Sequence, residues 1–151
     1  MPLFQKLIAE KAESLPITDE RMTRFWITVN QGVNFLLSSL AMMAGGEIFI
    51  PKIPSMNIVD MAKALAPGMP RRIVGIRPGE KLHEVMVTQD DARDTIEMDD
   101  RYIITPAFQD WADRAEYKIP TKPIPKDFRY ASDTNLQQLT GEMLLELLKQ
   151  D

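Results

Sequence analysis

The run Gly45-Gly-Glu-Ile-Phe-Ile-Pro51 decides how this chain is read. Paired glycines end whatever helix precedes them, and three large apolar residues then follow without a polar one between. A short strand of that kind suits a parallel sheet covered on both faces. Residues 47–51 are therefore expected to be a buried strand with neighbours on both edges. The rest of the chain offers few strands to serve as those neighbours, which hints at missing structure.

Upstream of this strand, Thr28 is placed to cap a helix on which Val29, Val33, Leu36, Leu37 and Leu40 form an apolar stripe. Residues 22–27 read as a strand, reached through a polar turn at 19–21. Pro16 biases Leu15 away from helix, so 14–18 is extended. Leu3, Phe4, Leu7 and Ile8 mark one side of a short helix over 1–12. Downstream, Asn57 caps a helix through Ile58, Met61, Ala62 and Leu65 that Pro67-Gly68 ends. Strands are expected at 72–76, 84–87 and 102–105. The proline-rich stretch 107–129 lacks periodicity and reads as an irregular arm. A last helix is expected over 134–150, capped from Asp133-Thr134-Asn135, with Leu136, Leu139, Met143, Leu147 and Leu148 on one side. The pattern is α/β, and 1–151 reads as one incomplete domain.

Composition narrows the function. The 151 residues carry a net charge of -4, which disfavours nucleic acid and anionic membranes as partners. Without cysteine there is no disulfide and no thiol nucleophile. His83 is the single histidine, so no metal is expected. Charges interrupt the first eleven residues, and the apolar stretch 34–46 is short of a membrane span. A cytoplasmic chain is expected.

The densest chemical signal is Gly75-Ile-Arg-Pro-Gly-Glu-Lys-Leu-His-Glu84. Pro78-Gly79 favours a tight turn that presents Arg77 and Glu80 to one side. A guanidinium matches two phosphate oxygens, and a carboxylate accepts from both hydroxyls of a ribose. That pair suits a nucleoside diphosphate; an ordinary charged turn between strands fits the same residues. In Arg21-Met-Thr-Arg-Phe-Trp-Ile27, strand alternation puts Arg21 and Arg24 on opposite faces, so at most one serves a given site. The other reading there is solvent-facing arginines above core aromatics. His83 has no identifiable acid partner and reads as a hydrogen-bonded structural residue rather than a proton shuttle. Asp90, Asp91 and Asp94 read as a solvated helix start. No G-x-G-x-x-G, P-loop, G-x-S-x-G or Tyr-x-x-x-Lys occurs, so no catalytic residue is assigned.

Three blocks, Leu15-Pro-Ile-Thr-Asp-Glu-Arg-Met-Thr-Arg-Phe-Trp-Ile27, Gly45-Gly-Glu-Ile-Phe-Ile-Pro-Lys-Ile-Pro-Ser55 and 75–84, resemble the C-terminal half of the inverting UDP-N-acetylglucosamine 4,6-dehydratases. Tyr130-Ala-Ser-Asp-Thr-Asn135 is similar to the end of the same family, which belongs to the extended short-chain dehydrogenase/reductase superfamily and the wider polysaccharide-biosynthesis group. The resemblance implies an α/β substrate-binding part that lacks most of the Rossmann domain, with 47–51 joining the missing sheet. Enzymes of the family bind NADP in an N-terminal Rossmann domain, oxidise C4 of the sugar, eliminate water across C5 and C6, and return hydride at C6. The motifs for those steps lie upstream of the position matching Met1, so no NADP is expected on this chain alone. By the same resemblance, Arg24 and Arg77 bind the diphosphate, Glu80 the ribose, and Leu15-Pro16-Ile17 lies along the uracil; Arg21 and His83 receive no role. The partners implied are a UDP-sugar, the missing Rossmann half or a full-length paralogue, and further copies in a complete homo-oligomer. The product would feed surface glycans or pseudaminic-acid-type sugars. The alternative is a non-catalytic remnant that holds UDP-sugars or packs on a full-length paralogue.

Overall fold

The structure, a computed structural model, describes residues 2–106 and 122–149. Its helices are α1 (Pro2–Ala9), α2 (Val29–Met42), α3 (Ile58–Leu65) and α4 (Gly141–Leu147). Its strands are β1 (Leu15–Ile17), β2 (Thr23–Phe25), β3 (Ile48–Pro51), β4 (Ser55–Asn57), β5 (Arg71–Ile73), β6 (Val85–Val87), β7 (Thr95–Glu97), β8 (Arg101–Ile104), β9 (Lys122–Pro123) and β10 (Tyr130–Ala131). The strands form small sheets. β1 pairs in parallel with β5, while β2 with β4 and β6 with β10 are antiparallel. A four-stranded antiparallel sheet runs β3-β8-β7-β9.

Two apolar centres hold these pieces. Phe4, Leu15, Ile17, Met56, Met61, Ala62, Leu139 and Leu144 join α1, β1, α3 and α4. Full burial of side chains the size of Leu15 or Ile17 contributes about 1.5–3 kcal/mol each. Close approach of α3 and α4 depends on Gly141, where an added methyl would lie 3.0 Å from Ala64 Cβ. The second centre is aromatic. Tyr130 meets Phe25 at 4.9 Å and Tyr102 at 5.0 Å between ring centroids, all tilted as ring quadrupoles prefer. Ile50 and Val87 complete it.

The helix starts follow the expected capping chemistry. Thr28 Oγ1 accepts from the Gln31 amide while Gln31 Oε1 accepts from the Thr28 amide, a reciprocal box. Asn57 Oδ1 accepts from the Val59 amide.

Several expectations are corrected. The apolar stripe of α2 forms where expected but lies on the surface: Val29, Val33, Leu36, Leu37 and Leu40 are 48–73% exposed. β3 is not buried on both faces, since Ile48 is exposed and Ile50 alone is fully buried. Its observed neighbour, β8, is antiparallel rather than parallel, and its other edge is unpaired among the described residues. The strand at 22–27 shortens to β2, and that at 72–76 shifts to β5, which is exposed throughout.

The last helix begins at Gly141, capped by Thr140, not at 134. Asn135 spends its side chain on the Ile53 and Gln137 carbonyls and on the Gln137 amide. The 137–139 backbone meanwhile pairs with Ser55 through the Gln137 carbonyl and the Leu139 amide, which commits both groups outside a helix. Leu136 consequently faces solvent. Of the arm expected at 107–129, residues 107–121 lie outside the described ones; the remainder contains β9.

Candidate functional site

The turn at 77–80 has the geometry its residues favour. The Glu80 amide donates to the Arg77 carbonyl at 3.0 Å, and Gly79 sits at φ +81°, the left-handed setting that a type II turn requires at its third residue. Gly75, at φ +86°, bends the chain just before it. The side chain of Arg77 is exposed and makes no ion pair or hydrogen bond among the described residues. Glu80 is half-buried, and its Oε2 accepts from the Arg77 amide at 3.3 Å.

Arg24 stands beside this turn. Its Nη2 lies 4.0 Å from Glu80 Oε1, and its Nε lies 3.4 Å from Glu84 Oε1. It is not a loose cation: Nη1 donates to the Thr23 and Leu82 carbonyls at 2.7 and 3.1 Å, and Nη2 to the Lys81 carbonyl at 2.8 Å. Each such bond to a charged donor contributes more than a neutral one. Arg24 therefore stitches β2 to the segment 81–84, with the Thr23 amide adding a bond to Leu82 at 3.2 Å. Arg24, Glu80 and the backbone of Arg77 come together in one place.

Arg21 goes elsewhere, from the turn that precedes β2 and not from the strand itself. It clasps Asp19 with two bonds of 2.9 and 2.8 Å, which hold that carboxyl at about 2.

The segment 15–17 is extended as β1 and pairs with β5. Leu15 and Ile17 are fully buried, so their side chains cannot lie on a nucleobase. The Leu15 amide donates to the Pro70 carbonyl, and the Ile17 carbonyl accepts from Val74. Strand alternation then turns the Pro16 carbonyl to the opposite edge, away from β5.

Sequence reasoning missed two features. Thr23 and Ser132, 109 residues apart, meet at 2.7 Å between hydroxyls, and His83 Nδ1 lies 2.8 Å from Thr23 Oγ1. Only the adjacency of His83 to the turn signalled this. The other is Arg101, buried beneath α2 and stacked on Phe35 at 4.6 Å. It borders a cavity of about 480 Å³ with Gln31, Asn34, Ser38 and Lys52. All its donor nitrogens are engaged, by Asp100, Ser38, Ser39 and Met42. That guanidinium is a structural tie with nothing left for a ligand.

The residues present do not fit a dinucleotide. Among the described residues the only two named strands that pair in parallel are β1 and β5, and β1 runs into the Asp19 turn, not into a glycine-rich loop and helix.

A mixed α/β fold built of small sheets is the class these observations define. The chain belongs to the polysaccharide biosynthesis protein family, whose model matches residues 1–106. Two Campylobacter jejuni proteins described as UDP-N-acetylglucosamine 4,6-dehydratase (inverting) are 45% and 46% identical to it over 153 residues, covering 98% of this chain and 46% of their own length. The resemblance seen in the three sequence blocks thus extends along the whole chain. A solved structure of Pen from Bacillus thuringiensis superposes with a TM-score of 0.79 at 26% identity, over 99% of this chain and 44% of that one. The chain accordingly spans just under half the length of the curated relatives it matches.

Proposed function

We propose that this chain is the nucleotide-sugar-holding part of a UDP-N-acetylglucosamine 4,6-dehydratase of the inverting type. The observation that carries the reading is identity of 45% along 98% of the chain to proteins of that description. The local chemistry agrees with it. Arg77 extends an unpaired guanidinium from a rigid turn, which suits a diphosphate. Glu80 supplies an acceptor for ribose hydroxyls, and Arg24 adds positive charge against the same carboxylate. Pro16 contributes a carbonyl without an amide, complementary to the imide N–H of uracil. In this reading Leu15 and Ile17 serve by fixing that carbonyl, not by touching the base.

Hydride transfer and acid–base chemistry fall to an upstream half that carries NADP. The apolar stripe of α2 and the unpaired edge of β3 are the surfaces such a half would cover, because contiguous apolar patches of this kind mark interaction sites. The direct experiment measures turnover of UDP-N-acetylglucosamine by this chain with added NADP, first alone and then joined to an upstream half from a relative. Activity only in the joined protein is expected. Turnover by the chain alone would contradict the reading, and so would a joined protein that folds, binds NADP and ignores the substrate.

A further inference from the structure

Four contacts converge on two hydroxyls between β2, the segment 80–84 and the turn after β10. His83 Nδ1 lies 2.8 Å from Thr23 Oγ1, and Thr23 Oγ1 lies 2.7 Å from Ser132 Oγ. Ser132 Oγ lies 3.2 Å from the Thr23 carbonyl and accepts from the Glu84 amide at 2.9 Å. Each hydroxyl has one proton to give. A carbonyl can only accept, so the Ser132 proton goes to Thr23 O. The Thr23 proton must then go to Ser132 Oγ, and the proton between His83 and Thr23 must sit on Nδ1. No other ordering makes all four contacts hydrogen bonds.

The consequence reaches the charged turn. His83 lies between Leu82, whose carbonyl accepts from Arg24, and Glu84, whose carboxylate faces Arg24 Nε. Ser132 also binds the Glu84 carbonyl through its own amide at 2.9 Å. The chain of protons thus anchors the segment on both sides of Arg24's seat. Ser132 is 1% exposed, so the anchor is shielded from competing water.

We propose that Thr23, His83 and Ser132 are positioning residues for nucleotide binding, with His83 held in its Nδ1–H form. They fix the 81–84 backbone so that Arg24 and Glu80 keep one geometry in the absence of ligand. This rests on the nucleotide reading of Arg24, Arg77 and Glu80.

Because His83 is the only histidine, its ring nitrogens give unambiguous ¹⁵N signals. In the 151-residue chain, at a pH where the ring is neutral, the Nδ1–H pattern is expected; an Nε2–H pattern overturns the ordering. UDP binding is then measured by calorimetry on the protein carrying its upstream half. Thr23→Val keeps the shape and removes the hydroxyl, and should weaken UDP by about tenfold; Thr23→Ser should restore it to within about twofold. Should Thr23→Val fail to fold, Ser132→Ala is measured in its place with the same expectation. A parent that binds UDP while the hydroxyl-free variant binds equally well overturns this proposal alone. A parent that does not bind UDP overturns the nucleotide reading and this proposal together.

Discussion

The amide of Glu80 closes on the carbonyl of Arg77 at 3.0 Å, with Gly79 at φ +81° between them. That one bond orients an exposed guanidinium and a half-buried carboxylate from the same turn. Neighbouring Arg24 reaches the same carboxylate from β2 at 4.0 Å, but its donors are already committed to the Thr23, Lys81 and Leu82 carbonyls. The two arginines therefore do different work, one holding the fold together and the other facing solvent.

Stability measurements should separate them. Arg24→Ala leaves several carbonyls without their donor and should cost about 2 kcal/mol, or roughly 4–8 °C in Tm. Arg24→Lys should recover little, because one ammonium cannot reach carbonyls spread across the planar fork. Arg77→Ala should leave Tm within about 1 °C of the parent, as expected for an exposed side chain without partners. Equal melting of Arg24→Ala and the parent would refute the structural role of Arg24.

Much of this was legible beforehand, and the failures have physical causes. Pro78-Gly79 encodes its turn locally, and Thr28 and Asn57 encode their caps locally, so all were readable from a few residues. The apolar stripe of α2 was legible as a stripe, but periodicity shows only that a face needs covering, not whether this chain covers it. Asn135 was misread as a helix cap because its side chain is claimed by Ile53, 82 residues away. The Thr23–Ser132 contact, spanning 109 residues, left no local trace. Leu15 and Ile17 were placed on the right strand, but which of its sides meets the core is a tertiary fact.

The α2 stripe gives a second prediction. Replacing Leu36 and Leu40, 65% and 63% exposed, with glutamine should leave the thermal transition of this chain nearly unchanged, since each side chain contributes little burial. The same substitutions should reduce self-association in size-exclusion chromatography and weaken docking of an upstream half. A large loss of Tm would show instead that the stripe packs within the chain.

Alkaline pH should unfold the aromatic centre. Burial, with Glu97 nearby, raises the Tyr102 hydroxyl from 10.0 to about 12, and burial also raises Tyr130. A raised pKa means the folded state holds its proton more tightly than the unfolded one. Stability from these groups is therefore complete below about pH 10 and lost as pH climbs from about 10 to 12. Phenolate absorbance and circular dichroism should change together over that window. Tyrosines that ionise near pH 10 with the fold intact would contradict the packing of Tyr102.

The central claim is that the turn at 77–80 grips a nucleotide, and calorimetry of UDP binding tests it most directly. In the protein carrying its upstream half, Arg77→Ala should weaken UDP by about ten- to a hundredfold, a loss of roughly 1.5–3 kcal/mol, with Tm unchanged. Glu80→Gln should weaken UDP more than 2′-deoxy-UDP, because only the ribonucleotide offers both hydroxyls. A parent that binds UDP, with Arg77→Ala binding it equally well, would show that the turn is an ordinary charged surface and that the nucleotide is held elsewhere.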